Sequence, residues 1–338
     1  MMKLIAMQDR QEPRHKCRAL LGALVCFALL LCSCSIKKLA VNKIGSALAS
    51  PGTTFSADND PDLVGSALPF SLKLMEALLA ESPKHVALLS AASSGFTQYT
   101  YIYVQQQAEQ IETQDFDKSQ ELRVRSRRLY LRGRDYGLRG LEVKHPGFAR
   151  IVREDPRRAV RAITAKSDVP LLYWTAASWG LAIANAKDNP DLIADQPVVE
   201  ALIDRALELD DGYDYGAIHG FLISYEPSRQ GVKEDFADRC RRHFQQQVNS
   251  THGQLAAPYV ALAEAVSIQK QDEAEYEELL NKALAIDPDV RPEWRLSNMI
   301  SQRRARWLLK RKEDLFLAKQ SIRRNMPANL SISVGGRW

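Results

Sequence analysis

The chain has 338 residues, with 46 Lys and Arg against 41 Asp and Glu, a formal net charge of +5 and five cysteines. Positions 1 to 33 hold five basic and two acidic residues, +3 of that total, so about +2 is left for the rest and gives no general argument for nucleic acid. Only Cys240 lies beyond position 34, so no internal disulfide can form there and the fold must be held by its core, which the remaining length allows.

Lys3, Arg10, Arg14, Lys16 and Arg18 form a basic start, and Ala19 to Leu31 is apolar except for the small Gly22. That stretch is too short to span a bilayer as a helix and reads as a signal. It runs into Leu31-Cys32-Ser33-Cys34, which resembles the bacterial lipobox: a large aliphatic stands three before the cysteine and a small residue just before it. Residues 1–33 are therefore expected to be a cleaved lipoprotein signal peptide and Cys34 the lipid-modified first residue. Cys32 fits worse, because Leu31 would then occupy the cleavage position. An ordinary secretory peptide or an anchor helix is the alternative. Several acyl chains on Cys34 would hold the protein firmly, at about 0.8 kcal/mol per buried CH₂. Residues 34–59, rich in Ser, Ala, Gly and Asp with a Pro51-Gly52 breaker, read as a lipidated tether. Ser35 is not the aspartate that retains lipoproteins at the inner membrane, so the resemblance favours the outer membrane, facing the periplasm.

Beyond Asp60 the signals are helical. Asp60-Pro61, Asp155-Pro156, Asp168-Val169-Pro170 and Asn189-Pro190 put a capping side chain beside a proline suited to the first helical turn. Leu68, Leu72, Met75 and Leu79 recur at helical spacing and predict one buried face. Strand-like alternation is confined to Ser331 to Val334, so an all-α domain is expected over 60–320, followed by a tail over 321–338. Four segments share one helix ending: Ala77 to Pro83, Gly140 to Pro146, Ala206 to Asp211 and Ala283 to Pro288. A small residue followed by a turn residue or proline is how the second helix of a tetratricopeptide repeat closes, and the intervals of 63, 66 and 77 residues are near twice that unit. This predicts a divergent tetratricopeptide-like array, with a non-repeating helical bundle as the alternative.

Several stretches together resemble the TatT family, the lipoprotein component associated with tripartite ATP-independent periplasmic (TRAP) transporters. They are 60–70, AASSGFTQY from Ala92, RLYLRGRDYGLRGL from Arg128, DVPLLYWTAASWG from Asp168, RALELDDGYDYG from Arg205 and PEWRLSNMISQRRARWLL from Pro292. The resemblance implies a concealed tetratricopeptide-like array, a homotrimer around a central passage, and docking of a TRAP-type periplasmic solute-binding protein that carries small organic, acidic or hydrophobic ligands. The rival reading is an unrelated tetratricopeptide lipoprotein that grips peptides during envelope assembly.

Catalytic signatures are missing from the sequence: no Gly-x-Ser-x-Gly, no phosphate-cradling glycine loop and no Cys or His pair at metal spacing. No enzyme activity, cofactor or metal is therefore implied, and His243 and His252 read as solvated. Tyr99, Tyr101, Tyr103, Tyr173, Trp174 and Trp179 make a dense aromatic set. Such rings either fill the core or border a ligand path or partner groove, and Tyr99 and Trp174 are the first two to test. Residues 264–289 are acidic and 291–324 basic, so the two runs could mate with each other, with another subunit or with a transporter component.

A helix is predicted over Lys118 to Val143, with Leu122, Leu129 and Tyr136 on one side and Val124, Leu131 and Leu138 nearly opposite. Between these faces run two basic strips. Arg123, Arg127 and Arg134 make one; Arg125, Arg128, Arg132 and Arg139 make the other. One strip is expected to face a groove or an intersubunit passage, where Arg128, Arg132 and Arg139 would attract an organic anion or an acidic patch of the solute-binding partner towards the passage. The alternative leaves all seven in solvent or paired with acids of the 264–289 run.

Overall fold

The computed structural model describes residues 41–49 and 53–317, and every regular element among them is helical. The signal at 1–33, Cys34 and the tail at 321–338 lie outside the described residues. The longer helices are α1 (41–49), α2 (Pro61–Glu81), α3 (Val86–Tyr99), α4 (Phe116–Lys144), α5 (Val169–Ala184), α6 (Gln196–Leu209), α7 (Tyr213–Tyr225), α8 (Phe236–Ser250), α9 (Ala257–Leu262), α10 (Glu273–Ala285) and α11 (Arg295–Lys310). Helix α3 runs on through a π-helical turn, Thr100–Gln105, into Gln106–Ile111. Helix α9 runs on through a second, Ala263–Ser267, into Ile268–Lys270.

Local chemistry sets most of these bounds. Asp60 accepts from the amides of Asp62 and Leu63, Asp155 from Arg158 and Asn189 from Leu192, each just before a helical proline. Asp168 does not cap: its buried carboxylate is taken by His145 Nε2 at 2.8 Å and by Lys144. All four shared segments do end a helix, at Glu81, Lys144, Leu209 and Ala285. Part of the stretch assigned to a tether is folded. Ser82 Oγ donates to Asn42 Oδ1 at 2.7 Å, and the carbonyl of Ala57 accepts from Arg295 at 2.7 Å. The Val41, Ile44 and Leu48 spacing in α1 is helical, but small residues between them hide it from a periodicity reading.

The centre of the molecule is the bundle of α3, α4 and α5, packed on a core that includes Tyr130, Leu141, Leu172, Trp179 and Leu202. The deepest stripe of α4 is neither of the two expected apolar faces. It runs through Ser119, Ser126, Gly133, Gly137 and Gly140, while Val124 is exposed. Small residues let neighbouring backbones approach, and a reading that counts only large apolar side chains passes over them.

The two ends of the helical domain meet. Arg303 on α11 pairs with Asp62 at the start of α2 (2.9 Å), and Arg304 pairs with Glu109 beyond the first π-turn (2.5 Å). The acidic and basic runs meet within the chain, through Arg304 with Glu264 (2.6 Å), Arg295 with Asp289 (2.5 Å), and Lys312 with Glu273 and Glu277 (2.9 and 2.6 Å).

Candidate functional site

The two arginine strips of α4 have different surroundings. Arg123, Arg127 and Arg134 are recessed, their side chains 28%, 22% and 14% exposed, and each meets an acid: Glu112 at 2.9 Å, Asp188 at 3.0 Å and Asp135 at 2.7 Å. Arg134 also lies 4.9 Å over the Trp179 ring. The strip of Arg125, Arg128, Arg132 and Arg139 faces away from the small-residue stripe and is exposed. Within the single chain the recessed strip is thus that of Arg123, Arg127 and Arg134, and none of these acids comes from 264–289.

Three of the four outer arginines have intramolecular partners. Arg125 donates to the Tyr99 hydroxyl at 3.4 Å, and Arg139 donates to the Pro83 carbonyl at 3.2 Å while lying 5.3 Å over Tyr136. Arg132 pairs with Glu76 and lies 5.2 Å over Phe96. Burial alone would raise the Glu76 carboxyl, but hydrogen bonds from Lys73 and Tyr136 and the charge of Arg132 outweigh it and hold the group below its ordinary range. Arg128 has no partner among the described residues and stays open to solvent.

The aromatic set divides. Trp179 is fully buried, its indole N–H donating to Asp195 at 3.0 Å, and Tyr173 is buried edge-on to Trp174 at 4.7 Å. Trp174 is half-buried on the central core. Tyr99 is half-buried 5.8 Å from Tyr103, whose hydroxyl donates to the Pro61 carbonyl at 2.7 Å.

Tyr101 behaves differently. It is 37% exposed, yet burial pushes its phenol up, with the charge of Glu264 adding to the effect. Part of its ring reaches solvent while protein crowds the rest. Both π-turns supply this place, one carrying Tyr101 and the other Glu264. Such turns are rare and concentrate at functional positions. Beside them Arg304 is held by Glu109 and Glu264 together and lies 4.7 Å over Trp307. Burial raises the Glu264 carboxyl, and although burial alone would lower Arg304, the two carboxylates keep it protonated. This cluster thus has two carboxylates sharing one largely buried guanidinium. Nothing local in the sequence signals it, because its members come from three separated helical segments.

The histidines correct a second expectation. His243 is not solvated: its Nδ1 lies 2.9 Å from Nδ1 of the buried His219, with Glu226, Arg229, Arg239 and Arg242 close by. His252 is exposed. Among the described residues no third ligand completes a metal site. Burial, then the neighbouring His219 and arginines, lowers the His243 pKa from 6.5 to about 4. A folded-state value below the unfolded one leaves stability intact above pH 6.5 and removes it as pH falls towards 4. Unfolding by urea at pH 7.5 and at pH 5 should therefore differ by about 1–2 kcal/mol on this account, after discounting for partial solvent screening. His243→Gln should flatten that dependence, and an equal slope in the variant would exclude the pair as its source. Cys240 is the free thiol of the described residues, buried and pushed up to about 12 chiefly by burial, with its S–H donating to the Ile223 carbonyl.

Comparison with known proteins adds two findings. A model of the TRAP transporter T-component family matches residues 57–316. A protein of Treponema pallidum (strain Nichols), described only as uncharacterized, is 29% identical over a 313-residue alignment that covers 86% of this chain and 97% of that protein.

Proposed function

This chain belongs to the TRAP transporter T-component family, and from that premise we propose that it is a lipid-tethered, periplasm-facing scaffold working beside a TRAP-type solute-binding protein in the uptake of small organic ligands. The family is one of transport accessory components, not of enzymes. The observation that carries the reading is the match over 57–316, which takes in the whole central bundle and the closure of α11 on α2.

Three finer elements belong to the proposal. The anchor is Cys34, on the lipobox likeness. The helices form a tetratricopeptide-like array, on the four shared helix endings. The assembly is a homotrimer around a passage, supported by α2, which turns Val64, Leu72 and Leu79 to the body and leaves Leu63 and Phe70 60% and 73% exposed. Apolar side chains so exposed along one helix suit self-association.

The outer arginine strip is a surface for an acidic patch of the solute-binding partner, since Arg128, Arg132 and Arg139 stand on the exterior and Arg128 is unspent. Full-length protein purified from detergent-solubilised envelopes should carry a solute-binding protein, identified by mass spectrometry. The triple variant Arg128→Gln, Arg132→Gln and Arg139→Gln should retain less of it at low ionic strength, with helicity unchanged. Equal recovery would remove the strip as the docking surface, and no solute-binding protein in either preparation would remove the scaffold reading. Cys34→Ala should shift the exported chain to the soluble fraction.

A further inference from the structure

Glu200 and Asp204 stand four positions apart on α6, a spacing that sets like charges against each other. Asp204 is neutralised, because Arg229 meets both of its oxygens, at 2.8 and 3.0 Å. Arg229 also reaches Glu226 at 3.2 Å, and Arg239 is spent on the Glu226 carboxylate (2.5 Å) and carbonyl (3.0 Å). Glu200 is the charge left over. It is half-buried, and no hydrogen bond or ion pair holds it among the described residues.

Glu200 lines a surface cavity of about 340 Å³, at the lower end of the range for small-molecule sites. The cavity lies between the start of α6, the helical turn Pro190–Ile193 before it and the loop after α7. Its other lining residues are Ile193, Ala194, Gln196, Pro197 and Gln230, with no aromatic ring and no basic side chain among them. Ile193 is 37% exposed, and Ala194 and Pro197 are exposed too, so the apolar part of the lining is bare. The amide nitrogen of Gln196 donates to the Ser228 carbonyl at 3.3 Å, which fixes that amide's orientation and leaves its oxygen as an acceptor. Burial, with the charges of Asp204 and Glu226 adding to it, raises the Glu200 carboxyl, and the attraction of Arg229 and Arg157 does not cancel the effect.

We propose that this cavity binds a small primary alkylammonium ion, its head on the Glu200 carboxylate and the Gln196 side-chain oxygen and its stem along Ile193, Ala194 and Pro197. A carboxylate that has lost part of its hydration without gaining a partner repels anions, and a neutral ligand leaves that loss uncompensated. A primary ammonium compensates it with charge-assisted hydrogen bonds. A quaternary ammonium has no N–H to donate and relies on aromatic faces, which this lining lacks. An inorganic divalent cation would need several oxygen ligands, and no acidic or histidine cluster able to hold one occurs among the described residues. The site is separate from the α4 arginines and does not depend on the transporter reading.

The test uses detergent-solubilised full-length protein titrated calorimetrically, with empty micelles as the blank, against n-butylammonium, butan-1-ol and tetramethylammonium. The first should bind saturably at millimolar concentration, and the other two at least tenfold more weakly. Glu200→Gln should lose at least tenfold in n-butylammonium affinity while its melting temperature stays equal or rises, because an uncompensated charge beside Asp204 has been removed. That second readout separates loss of the binding group from loss of the fold. Ile193→Ala, at an exposed position, should weaken binding through the stem. No saturable binding of n-butylammonium at millimolar concentration, equal affinity in Glu200→Gln, or equal affinity for butan-1-ol or tetramethylammonium would each overturn the proposal.

Discussion

Gly137→Ala should lower the unfolding free energy by about 2 kcal/mol, although the same change in an exposed helix would raise it by about 1 kcal/mol. The opposition of signs makes the variant informative. A Cβ at Gly137 would lie 2.1 Å from Thr175 Oγ1 and 3.0 Å from Ser93 Oγ. Thr175 cannot turn away cheaply, because it is buried and its hydroxyl donates to the Leu171 carbonyl at 2.5 Å. The clash therefore has to move α5 away from α4, at the place where α3, α4 and α5 share their small residues. In a Thr175→Ala background the nearest obstacle is gone, although Ser93 Oγ at 3.0 Å and the Cβ of residue 175 at 3.1 Å remain tight, and Gly137→Ala should cost clearly less than in the parent. Urea denaturation of the two single variants and the double variant measures the coupling directly. A single variant as stable as the parent would show that the helices do not depend on this approach.

The same node shows what sequence reading could and could not reach. The long helix expected over Lys118 to Val143 is found over Phe116–Lys144, because a sustained 3.6-residue pattern survives even many charges. The Asp-Pro and Asn-Pro starts at Asp60, Asp155 and Asn189 were also legible, since capping is decided within four residues. Asp168 shows the limit of that rule: the same dipeptide chemistry is overridden by Lys144 and His145, more than twenty positions away. The bounds of α1 are not legible in the sequence because its apolar residues are spaced among small ones, and it is fixed by Ser82 across 40 positions. The outer strip of α4 is legible as a set, but which strip is recessed depends on where glycines sit, and they leave no trace in a count of large side chains. The interior site was the least legible. Its parts become neighbours only when α11 closes on the first half of the chain, as in the Arg303–Asp62 pair, 241 positions apart.

That closure carries the second large expected effect. Arg304→Met should destabilise the protein by about 3–5 kcal/mol, the usual result of removing one partner from a buried ion pair. The Arg304 side chain is 10% exposed and its guanidinium meets Glu109 at 2.5 Å and Glu264 at 2.6 Å, so its loss leaves two carboxylates with no shared counter-charge. Methionine keeps much of the aliphatic stem beside Trp307, which limits the packing loss and assigns the effect to charge. Glu264 is already raised by burial, so without Arg304 it should take up a proton first, and the variant should regain stability as pH falls. The sign follows because a carboxyl whose folded-state pKa lies above its unfolded value binds protons more readily in the fold. Adding Glu264→Gln to Arg304→Met should recover a large part of the loss at neutral pH by the same route, without acid. Urea midpoints for the parent, Arg304→Met and the double variant at pH 7.5 and pH 5 give the comparison. If the double variant is no more stable than Arg304→Met, the cost lies in packing of α11 and the shared guanidinium is not what joins α11 to the first half of the chain.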